Sequence, residues 1–397
     1  MNILFLMKAY DIGGIEVVAA TLADSFVKHG HKVAIASFKV PDTMMVARTN
    51  PEIPIYTIGK FECSAINADR LRKILIADSI DVVINQWGLP YIPCKVLNKA
   101  QKGLNIKTIA VYHNQIDTNA RIKNVEIAIA STHNPLKRIL LNIQKMIVRQ
   151  ITSASMRYVC HHSDIYQVLS PSYVELFKRF TGIKSPRKLM VQTNPVTVNS
   201  SDYHYSQTEK QKEIIYMGRI DYNQKRVYRV IDTWALLESE YSDWRLTIIG
   251  DGIERKNIEQ KVTDLKLKHV SFEGFQKPEP YYKRASLLLL TSEYEGFPLV
   301  LAECMSYGVV PIVYDSYSAV KDIVDNHVNG ITLPYHPNGY DAKEAAQRIS
   351  EVMKNDLNRK KMALAAIEKS KCYSIENIYK EWEQTFNSIK KEKCDGN

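Results

Sequence analysis

The spacing of hydrophobic residues changes twice within the first forty positions. A continuous apolar run at Asn2–Met7 leads into Gly13-Gly14, after which apolar residues recur every three or four positions. A short apolar run predicts a buried strand, and the 3.6-residue period predicts a helix, here ending near Gly30. The next apolar run, Lys32–Ser37, predicts another strand. Strand, glycine loop, helix and strand together form the repeating unit of a parallel α/β sheet.

The same alternation continues through the chain. Further strands are predicted at 82–85, 108–112, 167–169, 214–217, 244–249, 270–272, 287–291 and 309–314, and helices at 227–237 and 375–389. Between 193 and 212 the pattern lapses into polar residues without a period, as in a linker. We therefore predict an N-terminal Rossmann-like domain (1–195), a linker (196–212), a C-terminal Rossmann-like domain (213–372) and a helix packing back across the domains (373–397). Because open parallel sheets bind ligands at the carboxyl ends of their strands, we expect a site in an interdomain cleft.

The composition indicates a globular protein and argues against a membrane-spanning or disulfide-rich one. A chain of 397 residues with 45% hydrophobic and 24% charged residues is typical of a globular protein of two or three domains. No apolar run approaches the roughly 18 residues of a membrane helix, and no secretory leader is readable, so a cytoplasmic location is expected. The six cysteines are scattered without a CxxC pair, which argues against a disulfide framework or a structural metal site.

The positive charge is concentrated in the first half of the chain. Residues 1–200 contain 25 Lys and Arg against 13 Asp and Glu, whereas 201–397 contain 28 against 30. Such asymmetry indicates an acidic partner, namely a membrane surface, a phosphorylated acceptor or a nucleic acid. Nucleic acid is disfavoured because the cations alternate with apolar helix positions and no known reader motif is present.

A basic amphipathic helix is predicted at 136–150. It has Leu136, Ile139 and Ile143 on one face, and Arg138 and Lys145 on the other. Two interpretations remain open. The helix could dock on the anionic inner face of a membrane, or its apolar face could pack on the first domain's sheet with the cations in water.

The richest segment for chemistry is 291–305. A predicted buried strand ends in a loop, and Pro298 is predicted as the first residue of a helix that Gly308 terminates. Backbone N–H groups of 297–300 at such a helix start would form an anion site. Glu295 in the loop and Glu303 in the second helical turn could face one pocket and accept hydrogen bonds from sugar or ribose hydroxyls. From spacing alone, two solvated surface acids remain an equal alternative.

Two cations follow the strand at 214–217. Arg219 and Lys225 lie six positions apart across a turn and could converge on a diphosphate. They could equally be surface cations of a basic protein. Gly250, after the strand at 244–249, and the Gly274-Phe275 pair lie in turns where backbone could approach a nucleotide base closely.

Taken in order along the chain, these segments resemble the retaining GT-B glycosyltransferases of family 4. The matching motifs are Gly13-Gly14-Ile15-Glu16 (GG-x-E loop), His113 (strand-end histidine), Leu169-Ser170-Pro171-Ser172 (serine turn), Gly218-Arg219 with Lys225 (GR…K), Gly250-Asp251-Gly252 (GDG turn), and Glu295 with Glu303 (two glutamates eight apart). The resemblance covers essentially the whole chain. It implies two facing Rossmann-like domains, with the acceptor bound by the first and a nucleotide sugar by the second.

The resemblance also implies a role for each matched residue. Arg219 and Lys225 would clamp the donor diphosphate, Glu303 the ribose and Glu295 the sugar, while His113 would reach the sugar across the cleft. The implied catalytic residues are His113, Glu295, Arg219 and Lys225. The implied donor-binding residues are Gly13, Gly14, Arg219, Lys225, Gly250, Gly274, Phe275, Glu295, Gly296, Phe297, Pro298, Leu299, Val300 and Glu303.

The activity implied is transfer of a hexosyl or N-acetylhexosaminyl group from a nucleotide diphosphate sugar, UDP being favoured, to a saccharide or lipid-linked saccharide in bacterial surface polysaccharide assembly. No two aspartates lie two positions apart, so the DxD motif of metal-dependent transferases is missing and no metal or other cofactor is expected. Pro298 replaces a glycine common in the family, which leaves the sugar open. The alternative is a nucleotide-sugar epimerase; a dehydrogenase is disfavoured because no GxGxxG follows a strand.

Overall fold

The computed structural model describes residues 1–336 and 338–395, which form two compact units. The first unit comprises residues 1–197 and the C-terminal helix, and the second comprises Val198–Ser374. The division lies within the predicted linker. Residue 337 and the last two residues of the predicted segment 373–397 lie outside the described residues.

The first unit is built on a seven-stranded parallel sheet of order β3-β2-β1-β4-β5-β6-β7. Its strands are β1 (Asn2–Met7), β2 (Lys32–Ser37), β3 (Ile55–Thr57), β4 (Val82–Asn85), β5 (Lys107–Tyr112), β6 (Ile165–Val168) and β7 (Leu189–Val191). Its helices are α1 (Gly14–Lys28), α2 (Thr43–Arg48), α3 (Ala65–Ala77), α4 (Tyr91–Ala100), α5 (Ala120–Ser131), α6 (Pro135–His161) and α7 (Tyr173–Thr181).

The second unit repeats the plan with six parallel strands in the order β10-β9-β8-β11-β12-β13. Its strands are β8 (Glu213–Met217), β9 (Arg245–Ile249), β10 (Val270–Gly274), β11 (Leu287–Leu290), β12 (Val310–Tyr314) and β13 (Ile331–Leu333). Its helices are α8 (Val227–Ala235), α9 (Arg255–Asp264), α10 (Glu279–Arg284), α11 (Leu299–Ser306), α12 (Val320–Ile323), α13 (Ala342–Lys354) and α14 (Asp356–Ser370). The chain returns to the first unit as α15 (Ile375–Asp395).

Both sheets confirm the predicted doubly wound α/β class. Central strands such as β4 and β11 are buried along their whole length, which explains their unbroken apolar runs, since helices cover both faces of a parallel sheet. The strand order reverses between β1 and β4 in the first sheet and between β8 and β11 in the second. These reversals open a crevice at the carboxyl ends of the strands, where ligands bind in this class of sheet.

The C-terminal helix completes the first unit. Rings of Trp382 and Phe386 lie 5.7 and 5.2 Å from the ring of Phe26 in α1, edge to face, and all three are buried. Aromatic contacts of this geometry add about 0.5–1.5 kcal/mol beyond burial. The last helix is therefore part of the core that supports β1 and the loop following it.

Two further features bear on function. No helix in the described part of the chain is both long and apolar enough to cross a bilayer. The five cysteines whose side chains are described are all free thiols.

Candidate functional site

The loops that follow β8 and β9 pack backbone against backbone. A Cβ atom on Gly250 would lie 1.9 Å from the carbonyl oxygen of Gly218, and one on Gly252 would lie 2.2 Å from that of Ile220. Gly218 and Gly250 also have φ values of +148° and +135°, which side chains rarely permit. The GDG turn was predicted as an approach for a nucleotide base. Here its glycines leave room for the β8 loop, which brings that loop to the edge of the sheet.

Asp221 holds the turn after β8 in shape. One carboxylate oxygen accepts the backbone N–H groups of Gln224 at 2.7 Å and Lys225 at 3.1 Å, and the other accepts Arg219 Nε at 2.8 Å. Burial would raise the pKa of Asp221, but these hydrogen bonds outweigh it and hold the pKa below its ordinary value. Asp221 therefore fixes the directions of Arg219 and Lys225. This role was not predicted from the sequence, although Asp commonly forms turns by accepting hydrogen bonds from backbone N–H groups a few residues further along the chain.

The predicted residues Lys225 and Glu295 meet directly. Lys225 Nζ lies 2.7 Å from Glu295 Oε1, and only 16% and 9% of the two side chains are exposed. Gln224 links this pair to Arg219, because its amide oxygen accepts Arg219 Nη2 at 3.1 Å and its amide nitrogen donates to Glu295 Oε2 at 3.4 Å. We call Arg219, Asp221, Gln224, Lys225 and Glu295 the switch-edge network. It joins the ends of β8 and β11, the two strands at which the sheet order reverses.

Arg219 presents its charge outward. Its side chain is 64% exposed although its Nε is held by Asp221. A guanidinium fixed at one edge and open at the other can still bind an anion through its remaining N–H groups. The network thus contains one half-buried cation, Lys225, which is paired with a carboxylate, and one accessible cation, Arg219.

A helix begins immediately after the loop that carries Glu295. Pro298 has an extended conformation (φ −73°, ψ 92°) and caps α11, which starts at Leu299. The prediction that Pro298 is the first helical residue was therefore wrong by one position, because its ψ angle is not helical. The helix ends before Gly308, whose φ of +67° and N–H bond to Met305 terminate it as predicted. The first N–H groups of a helix have no intrahelical acceptor, so the start of α11 is electropositive.

The loop is anchored on its other side by Phe297. The ring of Phe297 is buried and lies 5.2 Å from that of Tyr373, edge to face. Gly296 and Phe297 thus connect Glu295 to α11 through buried positions. Leu299 and Val300, which open the helix, are half-buried.

Glu303 lies in the second turn of α11, as predicted, and is only 6% exposed. The hydroxyl of Tyr282, in α10, donates to Glu303 Oε2 at 3.1 Å. Burial raises the pKa of Tyr282 well above its ordinary value, so the hydroxyl stays protonated and remains a donor. Tyr282 therefore orients the carboxylate. Its place in the sequence gave no signal, since it lies twenty-one residues upstream in another element.

The remaining predicted donor positions follow β9 and β10. The N–H of Gly250 donates to the carbonyl oxygen of Gly274 at 2.7 Å, so the turns after β9 and β10 lie side by side. The side chain of Phe275, the next residue, is 59% exposed. A surface depression of about 760 Å³ elsewhere in the unit is lined by α8, Leu265 and the start of α13. None of the predicted site residues is among the described residues that line it. The candidate site is therefore located by the reversal of strand order between β8 and β11 and not by the volume of a cavity.

Gly13, Gly14 and His113 belong to the first unit. Gly13 caps α1 and Gly14 begins it; a Cβ on Gly13 would lie 2.5 Å from Glu16 Oε2. Burial raises the pKa of Glu16 to about 7. His113 follows β5, and its Nε2 is hydrogen-bonded to the side-chain oxygen of Gln86, which follows β4. Burial lowers the pKa of His113 to about 3, so the ring is neutral and acts here as a hydrogen-bond donor.

Among the described residues, no three His, Cys, Asp or Glu side chains are grouped as ligands of a metal ion. The ionic contacts of the site are instead those of the switch-edge network.

Two family models match the chain. Residues 12–199 match the model described as Glycosyltransferase Family 4, and residues 203–369 match Glycosyl transferases group 1. The two matches together extend over nearly the whole chain. The second match falls within the second compact unit, and the first match covers most of the first unit and ends two residues beyond Thr197. Gly13, Gly14 and His113 lie in the first match, and the switch-edge network and Glu303 lie in the second.

Individual proteins agree with these matches. The GalNAc-α-(1→4)-GalNAc-α-(1→3)-diNAcBac-PP-undecaprenol α-1,4-N-acetyl-D-galactosaminyltransferase of Campylobacter jejuni is 25% identical over 98% of this chain and 99% of its own. The lipopolysaccharide 1,6-galactosyltransferase of Salmonella typhimurium is 32% identical over 37% of this chain and 42% of its own. HepE of Anabaena, solved in complex with UDP, aligns with a TM-score of 0.76 at 16% identity, covering 98% and 100% of the two chains. The protein is a glycosyltransferase and belongs to the GT-B glycosyltransferases of family 4.

Proposed function

We propose that this enzyme transfers a hexosyl or N-acetylhexosaminyl group from a UDP-sugar to a saccharide or lipid-linked saccharide, with retention of anomeric configuration and without a metal ion. The observation that carries the proposal is the largely buried 2.7 Å contact between Lys225 and Glu295 at the topological switch of the second sheet. It places a cation beside a carboxylate close in sequence to the start of α11. A diphosphate and a sugar hydroxyl are the two groups that such a pair would bind side by side.

The reaction requires the enzyme to stabilise negative charge on the leaving group. As the bond between the anomeric carbon and the phosphate oxygen breaks, negative charge develops on the departing UDP. Arg219 and Lys225, with the N–H groups at the start of α11, would stabilise it; one well-placed donor is worth roughly a hundredfold to a thousandfold in rate. Fixed protein cations would thus supply what a magnesium ion supplies in other transferases.

Donor recognition would use the two glutamates. Glu295, held by Lys225 and Gln224, would accept hydrogen bonds from hydroxyls of the transferred sugar. Glu303, oriented by the Tyr282 hydroxyl, would accept those of the ribose. UDP is favoured as the nucleotide because HepE, which shares the fold, was solved with UDP. In the first unit, Gly13, Gly14 and neutral His113 are assigned to the acceptor and the sugar.

The acceptor class follows from the relatives. The Campylobacter jejuni protein is named for a saccharide on PP-undecaprenol, and the Salmonella typhimurium protein for lipopolysaccharide. We assign the present enzyme to the same broad task, extension of a lipid-linked or free saccharide in polysaccharide assembly. Such acceptors are met at the cytoplasmic face of a membrane, where we place the enzyme.

A donor screen tests the proposal. UDP release is measured with UDP-glucose, UDP-galactose and their N-acetylamino counterparts, with GDP-mannose as a different nucleotide, and with or without diphospho-undecaprenol saccharides. Lys225→Met should lower kcat/KM for the accepted donor by roughly a hundredfold or more. Lys360→Met is the matched control, since this lysine is exposed on α14. Equal turnover in both variants would refute the site assignment.

The remaining elements are tested separately. The anomeric configuration of the new linkage, measured by NMR, should match that of the donor sugar; an inverted product contradicts retention. Turnover should persist in EDTA, and its loss with rescue by magnesium contradicts the metal-free assignment. An isomerised UDP-sugar formed without acceptor would indicate the epimerase alternative.

A further inference from the structure

The N-terminal part of α6 turns its apolar side away from the protein. Seven aliphatic side chains there are between 46% and 72% exposed. At 100° per residue they fall within one arc of about 140°. We call them the α6 stripe: Leu136, Ile139, Leu140, Ile143, Met146, Ile147 and Ile151.

The opposite face of α6 is the one that contacts the first unit. Lys145 Nζ lies 2.7 Å from Glu126 Oε1 of α5, and Arg149 donates to the carbonyl oxygen of Asp117 at 3.1 Å. The guanidinium of Arg149 also lies 5.0 Å from the ring centre of Phe180. The interpretation in which the apolar face packs on the sheet was therefore wrong. The cations hold the helix to the protein and leave the stripe outside.

The helix presents this stripe without having to fold first. Its C-terminal half is anchored in the first unit by buried side chains, including Met156, Val159 and Cys160. The stripe itself spans sixteen residues, or about 24 Å of helix. A surface that is already ordered avoids the entropic cost of folding on contact.

The charge around the stripe indicates what covers it. Between residues 118 and 161 the chain carries seven Lys or Arg and one acid, Glu126. Lys145 and Arg149 contact the protein, whereas Arg121, Lys137 and Arg138 are exposed. Lys137, at the start of the helix, is exposed beside the stripe. Six of the seven stripe residues are Leu or Ile, and none is aromatic or Arg, the types in which the cores of protein interfaces are enriched together with Met. Exposed aliphatic surface flanked by cations complements the acyl chains and headgroups of an anionic bilayer.

We propose that the α6 stripe is the surface by which this enzyme docks on an anionic bilayer, with α6 lying in the plane of the membrane and the stripe at the boundary of headgroups and acyl chains. This inference deepens the proposed function by placing the enzyme on the membrane that holds a lipid-linked acceptor. It stands on exposure and charge and does not depend on the donor assignment. Its test needs no sugar.

Vesicle co-sedimentation of the full-length protein tests the proposal. Vesicles of equal parts phosphatidylglycerol and phosphatidylcholine are compared with vesicles of phosphatidylcholine alone, at low and high salt. Leu136→Glu/Ile143→Glu should lower the partition coefficient at least about tenfold, because two inserted aliphatic side chains become charged. Leu357→Glu/Leu364→Glu on α14 is the matched control. It also replaces two exposed aliphatic residues seven positions apart by Glu. Leu357 and Leu364 are 65% and 49% exposed, close to the 72% and 46% of Leu136 and Ile143, and this variant should bind vesicles like the parent protein.

Each other outcome overturns the proposal or one part of it. No sedimentation of the parent protein with anionic vesicles at low salt, or equal loss in both variants, overturns it. Equal binding to phosphatidylcholine alone overturns the anionic requirement. A dimer in sedimentation velocity that only the stripe variant dissociates, without vesicle binding, would show that a second copy of the chain covers the stripe. Melting temperatures close to that of the parent protein confirm that both variants are folded.

Discussion

A second buried ion pair joins the two segments that carry Lys225 and Glu295. Arg229 Nη2 lies 2.8 Å from Glu293 Oε2, with side chains 8% and 11% exposed, and Arg229 Nη1 donates to the carbonyl oxygen of Thr291 at 3.2 Å. The guanidinium also lies within 4.9 to 5.9 Å of the ring centres of Tyr314, Tyr340 and Tyr228. Arg229 thereby ties α8 to the loop after β11 and acts as a positioning residue.

Replacing Arg229 by Met keeps much of the side-chain length but leaves Glu293 buried without its closest cation. Removing one partner of a buried pair costs about 3–5 kcal/mol. Arg226 Nε, 3.8 Å from the same carboxylate oxygen, recovers part of the loss. We therefore expect Arg229→Met to lower the free energy of unfolding by about 2–4 kcal/mol.

Urea denaturation of the full-length protein measures this loss. Glu293→Gln and the double variant complete a cycle, whose coupling energy should be about 1–3 kcal/mol because the two groups are in contact. Donor turnover gives a second readout, since misplacing Lys225 and Glu295 should lower kcat/KM in Arg229→Met more than an equally destabilising change in the first unit does. A loss below about 0.5 kcal/mol, or strictly additive variants, would refute the reasoning.

Three further outcomes are expected. Burial raises the pKa of Glu16 to about 7 in the folded protein, so the free energy of unfolding should fall as the pH rises from about 4.5 through 7. In thermal melts, Glu16→Gln should have a higher melting temperature than the parent protein at pH 8 but not at pH 5. A difference in melting temperature that is the same at both pH values contradicts this prediction. Glu213 is fully buried, and although burial alone raises its pKa, hydrogen bonds from Arg284, Thr247 and Arg245 outweigh this effect and lower the pKa. The ionised carboxylate therefore stabilises the fold above the unfolded pKa of about 4.5, and this stabilisation is lost on acidification. In the same melts, Glu213→Gln should lower the melting temperature more at pH 7 than at pH 4. Gly250→Ala should lower donor affinity, measured by UDP titration, because the added Cβ would displace the β8 loop, whereas unchanged affinity and melting temperature would show that the loop tolerates it.

Local patterns were sufficient to predict the central strands. The bounds predicted for β1, β2 and β4 agree with the structure at every residue. Their apolar runs are long enough to be distinctive, and glycines or polar residues mark where they end. The prediction missed β3, β7 and β13, each three residues long and at a sheet edge, because so short a run shows no period and strand pairing alone defines it.

The order of the motifs was likewise enough to identify the family and to name Lys225, Glu295 and Glu303 as candidates. It could not show that Lys225 and Glu295 touch, since seventy residues separate them and only the adjacency of β8 and β11 brings them together. Asp221, Gln224 and Tyr282 were missed for the same reason. Their roles lie in contacts with side chains or backbone groups that no local spacing specifies.

The sequence by itself determined which residues of α6 are apolar and which are basic, because helical period is a local property. Only the tertiary structure decided which face points outward, because Lys145 and Arg149 find their partners, the Glu126 carboxylate and the Asp117 carbonyl oxygen, elsewhere in the first unit. Amphipathic pattern defines two faces of a helix, and the free energy of packing against the neighbouring chain selects which of them is buried.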